Sequence, residues 1–188
     1  MRMFVLVVLA FFLSGCGGSV QQYILSQPQQ HGHKIPKHFG QIGVDTVQVP
    51  DYLSGNKIPI QSADGMLTFC SASMWATAPE KGLTHHAIAY LQQTFSTPDV
   101  YRYPWDIERK NGVRVRIALT HFVYVEQQKA VSLKASYFVE SLMGHRRRSK
   151  LFSVVMPIHK GETPLIVKGM NQAFDRLLDD VARTLSHF

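Results

Sequence analysis

The apolar positions of this chain change period along its length, and each change marks an element. From Gly112 to Glu126 the period is two: Val113, Val115, Ile117, Leu119, His121, Val123 and Val125 alternate with Arg114, Arg116, Ala118, Thr120, Phe122 and Tyr124. That alternation predicts a strand with one buried face. Lys129–Ser141 alternates again, with Val131, Leu133, Ala135, Tyr137 and Val139 on one side. Only Gln127 and Gln128 join the two runs, so an antiparallel hairpin is expected. Leu151–Ile158 predicts a third strand of the meander, after a loop at Gly144–Arg148.

Two segments change to a helical period. In Pro79–Phe95, Leu83, Ala87, Tyr90, Leu91 and Thr94 share one face. Pro79 suits a first turn, Glu80 complements the N-terminal dipole, and Pro98 lies beyond the end. In Thr163–Leu185, a wide stripe runs through Ile166, Val167, Met170, Ala173, Phe174, Leu177, Leu178, Val181 and Leu185. The N-terminal half is less regular. Val20–Ser26 and Phe39–Val49 have strand character, and the second slips phase near Thr46, which predicts a bulge. Gln27–Lys37 reads as a loop and Asp51–Asn56 as a turn. Ile58–Ile60 and Met66–Phe69 are short extended pieces around a turn at Ala63-Asp64-Gly65, and Pro59 argues for an edge strand. The expectation is an α/β chain of α+β type. It has a single domain: a mixed, mostly antiparallel sheet of five or more strands packed with two main amphipathic helices.

Composition narrows the class. The chain has 188 residues, 45% apolar and 18% charged, with a formal charge of +7. That is globular, and long enough for one substantial core. Two cysteines exclude a disulfide-stapled miniprotein. The basic excess raises nucleic acid as a partner, and the N-terminus argues against it.

Met1-Arg2-Met3 is a short basic start, and Phe4–Leu13 is an unbroken apolar run too short to span a bilayer. Leu13-Ser14-Gly15-Cys16 then resembles the bacterial lipobox at every position. Small residues at 14 and 15 admit a peptidase, and the Cys16 thiol accepts a diacylglyceryl group. Cys16 is therefore the expected lipidation site, with several acyl chains giving stable anchorage. Residues 1–15 read as a lipoprotein signal peptide, 16–19 as an acylated tether and 20–188 as the domain. Gly17 in place of Asp favours sorting to the outer membrane, facing the periplasm; inner-membrane anchoring is the alternative. Cys70, left without a partner thiol, reads as a small buried hydrophobe in Leu67-Thr68-Phe69-Cys70.

No catalytic constellation emerges. There is no nucleophile elbow, phosphate loop or paired-cysteine metal motif. His31, His33 and His38 have no carboxylate or cysteine nearby to complete a metal set. His85 and His86 point about 100° apart on their helix. His121 sits in the apolar register of its strand. No cofactor, metal or catalytic residue is expected. Arg146, Arg147 and Arg148 read either as a solvated hairpin tip or as a contact to anionic headgroup phosphates.

Val47-Gln48-Val49-Pro50-Asp51-Tyr52-Leu53 resembles a signature of the ABC-type transport auxiliary lipoproteins, including the PqiC type. Lys57-Ile58-Pro59-Ile60, Trp75-Ala76, Leu83–Phe95 and Tyr103-Pro104-Trp105 resemble the segments that follow in that family. The resemblance runs from Tyr23 to Leu185. Two segments depart from it: Ser54-Gly55-Asn56 stands where Asp-Arg-Pro is common, and Trp75-Ala76-Thr77-Ala78-Pro79 where Trp-Ala-Glu-Pro-Leu is common. The resemblance implies a lipid-anchored, non-enzymatic accessory of an intermembrane phospholipid transport system. Its implied partners are an MCE-domain protein, an ABC permease and ATPase, the membrane and phospholipid, but not nucleic acid. The PqiC type is similar to ring-forming lipoproteins, which implies a homo-oligomer. Pro50, Asp51, Tyr52 and Leu53 either fold back to cap the core or meet a partner. A structural or assembly lipoprotein of the outer membrane is the alternative function, and a periplasmic hydrolase a third.

Overall fold

The computed structural model describes residues 19–25, 34–36, 40–105, 112–144 and 146–188. The expected signal peptide at residues 1–15, Cys16, His31, His33 and His38 lie outside the described residues. Eight strands form one open mixed sheet: β1 Gln21–Tyr23, β2 Ile42–Val44, β3 Lys57–Gln61, β4 Leu67–Trp75, β5 Val100–Arg102, β6 Val113–Val125, β7 Ala130–Ser141 and β8 Arg147–Pro157. Helix α1 is Pro79–Phe95 and α2 is Thr163–Ser186. This is the expected single α+β domain.

The meander β6-β7-β8 is antiparallel throughout and carries the long ladders. The other edge of β6 is shared by two short arms. β2 and then β5 attach to its N-terminal half, both parallel. β3 attaches parallel to its C-terminal half, followed by β4 and β1. Both helices cover one face: α2 packs on β6, β7 and β8, and α1 on β2, β5 and α2. The expected stripes of both helices are the buried ones, and they form a single core with Val113, Val115, Ile117, Leu119, Leu133, Tyr137 and Val139. α1 closes on Ser96, whose positive φ of 50° turns its amide back to Gln92 and Gln93 carbonyls.

Several expectations are corrected. β2 ends at Val44, so the phase slip at Thr46 is a break, with pairing resumed at Gln48 opposite Ala118. Pro59 does not mark an edge. β3 lies between β4 and β6, and Pro59 sits where the β4 register shifts, before pairing with β6 begins at Ile60. A bulge excuses the missing donor as well as an edge does. β4 runs on to Trp75, well past Phe69, and β5 had no periodic signal at three residues. In β6 the alternation flips at a register shift between Leu119 and His121. Phe122 and Tyr124 therefore join the core, while Val123 and Val125 turn to the helix-free face. Cys70 is half-buried, its Sγ accepting from Thr163 Oγ1 at 3.7 Å. Arg147 and Arg148 belong to β8, and Arg146 lies in the connection from β7.

Candidate functional site

The segment between the two arms is held from three sides. The Val47 amide donates to Thr84 Oγ1 on α1 at 2.9 Å. Gln48 pairs with β6 through Ile117 O and the Leu119 amide at 3.0 and 2.9 Å. Past Pro50, which ends the extended run, Asp51–Leu53 forms one 3-10 turn, with Ser54 Oγ donating to Asp51 O at 2.6 Å. The turn drives Leu53 fully into the core and lays Tyr52 against the β6 bulge. There the Phe122 amide donates to the Tyr52 hydroxyl at 2.8 Å. A bulged strand leaves ladder groups unpaired, and this hydroxyl supplies the missing acceptor. Burial pushes the Tyr52 phenol above its ordinary value, against the pull of the Phe122 amide. The segment therefore caps the core with Leu53 and Tyr52 and offers the exposed Asp51 and half-buried Pro50 at the surface.

Beside it, at the β2 end, lies a charged cluster the sequence did not reveal. Asp45 accepts from Arg114 Nε and Nη2, both at 2.8 Å, and from Arg116 Nε at 3.1 Å. Glu140 on β7 lies 3.3 Å from Arg114 Nη1. The bidentate bond to Asp45 holds the Arg114 guanidinium above its ordinary value, against partial burial. Arg114 also stacks 4.2 Å from the Tyr103 ring, which meets Trp105 edge-on at 5.4 Å between centroids. Gly43 makes room for that indole: a Cβ there would come within 2.6 Å of Trp105. Alternation placed Arg114 and Arg116 on the polar face but could not bring Asp45 and Tyr103 to them.

The arginine run divides three ways. Arg146 Nη1 donates to the Phe188 carbonyl at 2.6 Å, and Arg147 lies 4.9 Å from the Phe138 ring. Arg148 is exposed. Of the histidine pair, His85 is exposed and His86 fully buried, its Nε2 2.6 Å from Asp175 Oδ1. No partner for His86 was legible in the sequence, because Asp175 lies on the other helix. Burial sets this pair inside the core, where it ties α1 to α2. Among the described residues no three His, Cys, Asp or Glu side chains are placed to hold a metal ion. The arrangement is a turn between two arms, held by hydrogen bonds to α1 and β6 and flanked by paired charges and aromatic edges.

The model of the ABC-type transport auxiliary lipoprotein component matches residues 23–182. The chain belongs to that family. As an auxiliary lipoprotein it is a membrane-associated component of ABC-type transport, a family that is not a known enzyme class. The fold of the auxiliary lipoprotein recurs in solved structures. A crystal structure of an uncharacterised protein matches with a TM-score of 0.70 and 18% identity, covering 89% of this chain and 99% of that one. A crystal structure of a Xanthomonas campestris protein matches with a TM-score of 0.66 and 14% identity, covering 86% and 92%. No curated protein matches the auxiliary lipoprotein in sequence.

Proposed function

We propose that this auxiliary lipoprotein is anchored through acylated Cys16 and serves, without catalysis of its own, an MCE-type ABC system that moves phospholipid between membranes. The family match over residues 23–182 carries the reading, and the lipobox at Leu13–Cys16 supports it. Gly17 favours the outer membrane, with the domain facing the periplasm. ATP hydrolysis belongs to a partner, since the chain has no phosphate loop. Partner contact falls to the turn Pro50–Leu53, where the buried Leu53 and half-buried Tyr52 fix the backbone that displays Pro50 and Asp51. Arg147 and Arg148 with the neighbouring Arg146 offer guanidinium groups to a phosphate-bearing or acidic partner.

Crosslinking in envelopes, followed by capture of the full-length lipoprotein and mass spectrometry, tests the reading. Recovery of an MCE-domain protein is the expected result. Recovery of outer-membrane or cell-wall components alone overturns it. Asp51→Lys is expected to lower that recovery while leaving the melting temperature unchanged, because the carboxylate is exposed.

A further inference from the structure

The helix-free face of the sheet is divided along its length. At the β2 end it carries Arg114, Arg116, Glu140 and Arg147. At the opposite end, on the β3-β4 hairpin, it is apolar and open to solvent. Cys70 packs toward the helices, so alternation turns Leu67 and Phe69 to the helix-free face. Both are 39% exposed, and Met66 at the start of the strand is 59% exposed. Leu67 and Phe69 share this face and Met66 is exposed beside them at the strand's start, and apolar exposure concentrated in four residues has a cost in water that a soluble surface ordinarily avoids. Lys57 Nζ lies 5.7 Å from the Phe69 ring centroid, a cation within reach of phosphate beside an apolar group.

The strand order relates this corner to the start of β1. β1 is the outer neighbour of β4 and runs parallel to it, with Gln21 opposite Ser73. The segment before Gln21 therefore leaves the sheet in the direction of Leu67, not of the arginines. Cys16 is five residues before Gln21, a reach of at most about 18 Å. Phe69 and Leu67 lie four and six residues before Ser73, about 13 and 20 Å along the strand. A tether of that length rooted at Gln21 is long enough to reach the apolar corner.

We propose that Met66, Leu67 and Phe69 insert into the interfacial layer of the bilayer that holds the acylated Cys16. The inference rests on the anchoring reading above and adds an orientation to it. The three side chains enter the headgroup boundary with the acyl chains, and Lys57 meets lipid phosphate. The sheet then stands off the membrane. Arg114 is ten residues along β6 from Tyr124, about 33 Å, so the charged cluster and Arg147 are held away from the anchoring leaflet.

The test uses the full acylated lipoprotein in vesicles of phosphatidylethanolamine and phosphatidylglycerol whose acyl chains carry bromine. Phe69→Trp, Met66→Trp and Leu151→Trp each place an indole on an exposed position, the last on β8 away from the corner. Flotation first reports anchorage, and tryptophan quenching then reports contact. The expected result is that F69W and M66W each lose about half of the added fluorescence while L151W loses little. Floating protein with equal quenching at all three positions, or with quenching at Leu151→Trp alone, overturns the orientation and leaves anchorage standing. Protein that fails to float overturns both. A variant that misfolds is recognised by its circular dichroism, and the other corner position then decides.

Discussion

At position 52 a hydroxyl closes a gap that a backbone bulge opens. Tyr52→Phe keeps the ring and removes only the acceptor of the Phe122 amide. It is expected to cost about 1–2 kcal/mol, read as a lower urea midpoint at unchanged slope. His86 presents a larger stake, because both it and Asp175 are buried. His86→Ala leaves a buried carboxylate without its imidazole, for an expected loss of about 3–5 kcal/mol. The neighbouring His85→Ala is exposed and should change stability by less than about 0.5 kcal/mol. A melting series of these variants separates the two histidines. Helix geometry alone points them about 100° apart. It could not pair His86 with Asp175, since that contact depends on how α1 and α2 cross.

At the scale of elements, strand and helix identities were legible wherever a period persisted for three turns or six strand residues. α1, α2, β6 and β7 meet that condition. The rest depended on contacts between segments far apart in sequence. Pro59 was read as an edge residue because a proline lacks a donor, yet the register shift of β3 satisfies the same requirement inside the sheet. The flip within β6 was invisible because Phe122, Val123, Tyr124 and Val125 are all apolar, so no phase can be read from them. The turn at Pro50–Leu53 was legible as a turn, but its capping role needed the β6 bulge. Gly43 supplies a direct check on the packing of β2. Gly43→Ala pushes a methyl into Trp105 and is expected to destabilise by about 1–3 kcal/mol, with Trp105→Ala in the same chain relieving part of the strain. The contact of α2 with β7 and β8 carries a pH dependence. Partial burial raises the Asp180 carboxyl, but the Tyr137 hydroxyl at 2.6 Å, with Lys150 and Arg183, outweighs it and holds the pKa below the ordinary carboxylate value. The resulting stability is present above that ordinary value and is lost as pH falls through the lowered one. Denaturant titrations at neutral and acidic pH are expected to show this loss, and Asp180→Asn to show less of it.

The whole molecule joins two halves of different character. Everything from β6 onward is a meander closed by a helix, with each element packed on its sequence neighbours. Before β6 come α1 and the two strand arms, and each arm joins the sheet through the edge of β6, by β2 in one and β3 in the other. A strand of three residues such as β2 has no stability without that edge. The consequence is an order of events during synthesis. The β3-β4 hairpin can pair as it emerges, but both arms must wait for the edge of β6, more than fifty residues downstream of β3, while the C-terminal half can assemble from local contacts alone. Pulsed hydrogen exchange during refolding should therefore protect β6 and β7 amides before those of β2 and β3. On the anchoring reading proposed above, the arms of the sheet would be the last parts of the tethered chain to close, and the interval before closure is when a chaperone would find them open.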